Sequence, residues 1–150
     1  MTIFETMRGE IESRFKTAWG DQTPLKFENV PFQQPQAGEW AELTIRGAGG
    51  AQIAIGSPGN RLERQTGVVA FRAFTLPNKG TAPALKLCDN AANILRGLQF
   101  KSGTTAFRFF SPKPSGESGV AGKPERARQI TEPNLLSRTI VVPFEADGFF

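Results

Sequence analysis

Apolar residues recur every four positions at the start of the chain: Ile3, Met7, Ile11 and Phe15, with Phe4, Ala18 and Trp19 widening the stripe. That is the spacing of one face of an α-helix. Thr2 and Glu5 stand at the spacing of a capping box. Glu10–Arg14 and Glu12–Lys16 form i,i+4 pairs on the polar side. Gly20 and then Pro24 stop the helix. The pattern predicts an amphipathic helix over 2–19 whose stripe faces a core rather than a membrane. The period then shortens to two. Leu25–Phe32 alternates and meets Pro31, as a short edge strand does. After a polar connector over Gln33–Gly38, Trp40–Arg46 alternates again as a strand.

Gly47–Gly67, GAGGAQIAIGSPGNRLERQTG, is rich in glycine. It predicts a long hairpin reaching beyond the body, with one short strand at Gln52–Ile55 and a turn at Gly56–Asn60. Val68–Leu76 is an apolar strand broken only by the charge of Arg72. After Pro77–Gly80 a second helix is expected, capped by Thr81 with Pro83 in its first turn. Its stripe is Leu85, Cys88, Ala92 and Leu95, flanked by Ala84, Leu87, Ala91 and Ile94, and Gly97 ends it. Thr104–Phe110 reads as a strand. Ser111–Asn134 holds 4 Pro and 3 Gly in 24 residues and reads as a flexible loop. Leu135–Phe144 is the last long strand, and Glu145–Phe150 a short tail.

The expected architecture is a single α+β domain over 1–150. An antiparallel or mixed β-sheet carries both amphipathic helices on one face, with the long hairpin projecting. Val68–Phe71 and Ile140–Val142 are apolar on both faces, which exceeds what a one-sided sheet requires. Either loops or a neighbouring subunit must cover the second face.

Composition narrows the chemistry. The 150 residues include no His, which removes histidine bases, His-containing triads and imidazole metal ligands. The single Cys, Cys88, forms no intramolecular disulfide or multi-cysteine zinc site, and it falls in the second helix's stripe as a buried structural thiol. No apolar run is long enough to span a bilayer, and the first residues lack the basic start of a signal peptide. Ser57 in GSPG and the Gly47–Gly50 cluster lack the spacing and context of phosphate-binding loops and read as turns. Asp21, Asp89 and Asp147 are scattered, with no metal-binding motif. No catalytic, cofactor-binding or metal-binding residue is expected.

Charge is uneven. Residues 1–42 carry 7 acids and 4 bases, residues 43–138 carry 14 bases and 5 acids, and the chain as a whole is +4. Either the surface is merely patchy, or a basic face meets a polyanion or an acidic neighbour. The candidates for such an interface or lumen are Arg61 and Arg64 on the hairpin and Lys123, Arg126 and Arg128 on the Pro/Gly-rich loop. Lys101–Phe110 mixes aromatic and basic residues, but Phe107 and Phe109 share one strand face, as core residues do, rather than a base-stacking platform. A small basic nucleic-acid-binding domain remains the alternative.

The order of elements resembles the tail terminator (tail-completion, minor tail) proteins of long-tailed bacteriophages and phage-like particles. The likeness runs over nearly the whole chain: TIFETMRGEIESRF, then KFENVPFQQP, GEWAELTI and RQTGVVAFRAFTLPNKGTAPALKLCDNAANIL. NVPF before a Trp-led strand is its most specific piece, and the stretch over 111–134 departs from it. The resemblance implies a structural, non-enzymatic role in the virion tail, assembled in the bacterial cytoplasm. Six copies would form a ring on the tail tube protein, stop tube polymerisation and offer a surface to a head-side connector or stopper protein. DNA would pass through the lumen without sequence readout, with no membrane and no cofactor involved.

Overall fold

The computed structural model describes residues 3–28, 30–33, 38–56, 61–76, 80–102, 105–115 and 136–149. Helix α1 spans Ile3–Trp19, as its four-residue apolar period dictates. Met7, Ile11, Phe15 and Trp19 are all buried. Gly20 closes it in the left-handed region, at φ 62°, where its N–H bonds Lys16 O at 3.1 Å. Helix α2 spans Ala82–Gly97 with proline in its first turn. Its buried face is Ala84, Leu87, Cys88, Ala91, Ala92 and Leu95. Leu85, expected in that stripe, is 44% exposed. The real face is rotated toward the small alanines, which let the helix sit close to the sheet. Thr81 makes no side-chain cap, because its backbone is already helical, at φ −93° and ψ −12°.

Among the described residues, seven strands form one mixed sheet: β1 (Leu25–Phe27), β2 (Trp40–Gln52), β3 (Leu62–Thr75), β4 (Phe100–Ser102), β5 (Thr105–Phe109), β6 (Lys113–Ser115) and β7 (Leu136–Phe149). Their order is β1-β2-β3-β7-β5-β4, with β6 also on β7. β1 runs parallel to β2, and all the other pairs are antiparallel. β5 and β6 share the β7 edge that faces away from β3, bridged by the Phe110 N–H donating to Pro143 O at 2.9 Å.

Three expectations are corrected here. The hairpin arm contains no separate strand at Gln52–Ile55, because β2 runs without a break from Trp40 to Gln52. The segment after Phe144 is no tail: β7 continues to Phe149 and pairs residue by residue with β3 back to Leu62. The arm is therefore backed by a third strand. Phe100–Ser102, unassigned from the sequence, is a strand that hairpins onto β5. Lys113–Ser115 also pairs with β7, and 116–134 of the expected loop lie outside the described residues.

Both helices pack on one face. The core joins Phe15 and Trp19 of α1 and Leu87, Ala91 and Leu95 of α2 to Leu43, Val69, Phe71, Val142 and Phe144 of the sheet. Phe71 is central, with its ring centroid 5.1 Å from Trp19 and 5.9 Å from Phe15. Cys88 is buried, and its thiol lies 3.7 Å from Arg138 O, as a structural cysteine should be.

Candidate functional site

Strand alternation sends Val69, Phe71 and Ala73 to the helix side and Val68, Ala70 and Arg72 to the other. Register then assembles the second face. Val68 stands beside Pro143, Ala70 beside Val141, and Arg72 beside Thr139, whose Oγ1 accepts from Arg72 Nε at 2.8 Å. Val68, Ala70, Val141 and Pro143 form a half-buried apolar strip, and among the described residues no helix lies over it. Charges border the strip: Arg46 beside Val68, Lys113 beside Val141, and Arg108 beside Glu145. At one end of this face, Trp40 stacks on Phe74 with centroids 4.0 Å apart, and Phe32 covers Trp40 at 5.3 Å.

Of the five basic candidates, the structure places two. Arg61 precedes β3, and its Nη1 lies 3.5 Å from Gln52 Oε1 across the hairpin. Arg64 grips Asp147 in a bidentate pair, Nε to Oδ1 at 2.7 Å and Nη2 to Oδ2 at 2.8 Å. Glu145 lies 3.6 Å from Arg64 Nε and also pairs with Arg108. Two arginines and two carboxylates thus form a compensated cluster across β3, β7 and β5. Arg64 spends its charge inside the chain, so of these two only Arg61 is without an acidic partner in its described contacts. Lys123, Arg126 and Arg128 lie outside the described residues. Sequence reading missed Arg108, Glu145 and Asp147 as partners, because 83 residues separate Arg64 from Asp147 and only strand register brings them together.

The cluster has an electrostatic consequence. The Arg64 hydrogen bonds hold the Asp147 carboxyl below its usual 3.8; burial opposes this, and the charges of Arg64 and Arg108 add to the lowering. The same hydrogen bond raises Arg64 further above its ordinary range. A carboxyl with a depressed folded pKa adds stability above its unfolded pKa and loses it as pH falls through the folded value. Wild type should therefore exceed Asp147→Asn in urea midpoint near neutrality. That margin should shrink once the pH drops below about 4. A margin constant from pH 7 to pH 3 would show that the pair does not couple to folding.

A 740 Å³ cleft opens between the end of α1 and β1, past Lys16, Asp21, Thr23, Phe27, Val30 and Glu39. Among the described residues, no group of three or more His, Cys, Asp or Glu side chains is placed to hold a metal ion, and no helix is long and apolar enough to cross a membrane.

The architecture is that of an α+β domain with two helices on a mixed sheet. One solved structure shares it over 95% of this chain and 96% of its own, with a TM-score of 0.54 and 18% identical residues. At that identity the likeness concerns the fold alone. No protein-family model and no curated protein matches the chain.

Proposed function

We propose that the chain is a structural tail terminator of a long-tailed phage or phage-like particle. Six copies ring the end of the tail tube, stop its growth and present a joining surface to a head-side connector, with DNA passing through the centre. The role needs no catalytic group and no cofactor. Its main structural support is the second sheet face, where the half-buried strip of Val68, Ala70, Val141 and Pro143, covered by no helix among the described residues, lies between Arg46, Arg108 and Lys113. Such an apolar centre with a charged rim is how subunit interfaces are built. A closed ring requires heterologous packing, and this face differs from the helix layer on the opposite side. The whole-length resemblance in the order of elements supplies the particular role.

Reconstitution with the tube protein of the same particle tests the proposal. Tube protein alone should polymerise to uncontrolled lengths. With this chain present, tubes should stop at short lengths and carry a six-fold cap in electron micrographs. Tubes that grow as before, without caps, refute it.

The arm offers a narrower test. Ile53 pairs with Leu62 through a 2.9 Å backbone bond, so Asn-Gly in place of Ala54–Arg61 closes a two-residue hairpin on that pair. Cutting as far as Gln65 would instead strip β7 of its partner. The shortened chain should melt like wild type yet leave tubes uncapped. Normal capping by it would remove the arm tip from the tube contact.

A further inference from the structure

The sheet has open edges, and they differ in protection. An unpaired strand edge offers N–H and C=O groups to any extended chain, and proteins blunt such edges with short strands, lysine or proline. β4 and β6 are three residues each and carry Lys101, Lys113 and Pro114. β1 is equally short and carries Lys26. β2 is different. β1 covers it only at Ala41–Leu43, and among the described residues no strand pairs its outer edge from Thr44 to Gln52. Arg46–Gln52 are exposed throughout, with one charge, no proline and three glycines. A strand of that composition gains little from its own side chains.

The ladder decides which backbone groups face outward. The Ala41 N–H points to the β1 side, donating to Pro24 O at 3.0 Å, whereas the Ile53 N–H points to the β3 side, donating to Leu62 O. Successive residues alternate between the two edges. The register slips once, between Gly47 and Gly49, leaving Ala48 as the extra residue of a bulge. Counted from both ends, the residues facing outward are Ile45, Gly47, Gly50 and Gln52. That set is symmetric about the bulge. A second copy laid antiparallel brings Ile45 opposite Gln52 of the second copy, and Gly47 opposite Gly50, so every outward group meets an outward group. The same offset sets Arg46 opposite Ala51, so like charges do not face each other. It also carries Ile53 and Ile55, 42% and 101% exposed, toward the Phe27 end of β1 in the other copy, where Val30 is 49% exposed.

We infer that the β2 edge is an interface between two copies of this chain, joined antiparallel across Ile45–Gln52 into one continuous sheet. The contact is isologous and closes at two copies. It concerns the free chain and stands apart from the ring, which needs a heterologous surface.

Sedimentation velocity of the purified full chain should show monomer and dimer in equilibrium. Amide exchange at Gly47, Gly50 and Gln52 should slow as protein concentration rises. Gln52→Pro deletes an outward donor and leaves the β3 ladder intact. The two-fold axis doubles that loss, so the dimer dissociation constant should rise by about tenfold or more. Gln52→Ala keeps the N–H and should dimerise like wild type. A chain monomeric throughout, exchange independent of concentration, or a dimer unaffected by Gln52→Pro overturns the inference. The exchange measurement uses the unmodified chain, so poor folding of the proline variant leaves the test intact.

Discussion

Phe71→Ala is expected to lower the unfolding free energy by about 3–5 kcal/mol. Phe71 is fully buried in the middle strand of the sheet, beneath Phe15 and Trp19. Truncating it opens a cavity, and the cost depends on whether the neighbours can collapse into the gap. Trp19 is poorly free to follow. Its Nε1 is held at 3.2 Å from both the backbone oxygen and Oγ1 of Thr23, and its ring stacks on Phe15 at 5.6 Å. Ile11→Ala, under the same helix, should cost about 2–5 kcal/mol. Leu85→Ala, on the exposed side of α2, should stay within about 0.5 kcal/mol. Urea denaturation followed by tryptophan fluorescence gives all three values, and a loss at Leu85 equal to that at Phe71 would contradict this packing.

Gly67→Ala should cost about 2–3 kcal/mol. An added Cβ would stand 2.5 Å from the backbone oxygen of Arg46 and 2.7 Å from Cζ of Phe144. The backbone oxygen sits in a sheet ladder and cannot step aside. The ring of Phe144 fills the space that the glycine leaves, as an aromatic does beside a strand glycine. Where the backbone permits it, Gly→Ala usually stabilises, by restricting the unfolded chain; here the contacts reverse the sign. Gly50→Ala is the internal comparison. Its Cβ would meet only the end of the Gln65 side chain, which can swing away, so the loss should be much smaller. A thermal melt of Gly67→Ala that matches wild type would refute the close approach.

Much of the fold was legible in local patterns. The period of α1 and its glycine stop located that helix to within a residue, and the alternation of Trp40–Arg46 and Val68–Leu76 marked two central strands. The α+β class with a mixed sheet followed from those elements. The misjudged elements share a cause. GAGGAQ has little strand propensity, yet β2 continues through it because β3 supplies a ladder. Glu145–Gly148 alternates charged with small residues and offers no large core side chain, yet it pairs because β3 extends that far. Thr81 and Leu85 were misplaced because a capping residue and a helix's buried face are set by how the helix lands on the sheet.

The candidate site divides the same way. An uneven charge is a property of composition, and Arg61 and Arg64 could be singled out from it. That Arg64 is compensated by Asp147 depends on a register across 83 residues, which no local pattern encodes. By itself the sequence determined the elements with strong periods, the doubly apolar strands and the absence of histidine chemistry, because these depend on side-chain type and near spacing. The tertiary structure alone decided which strand edge and which sheet face the described elements leave uncovered, and which charges cancel. Those outcomes follow from non-local hydrogen bonding between strands, whose partners are chosen by the packing of the whole sheet.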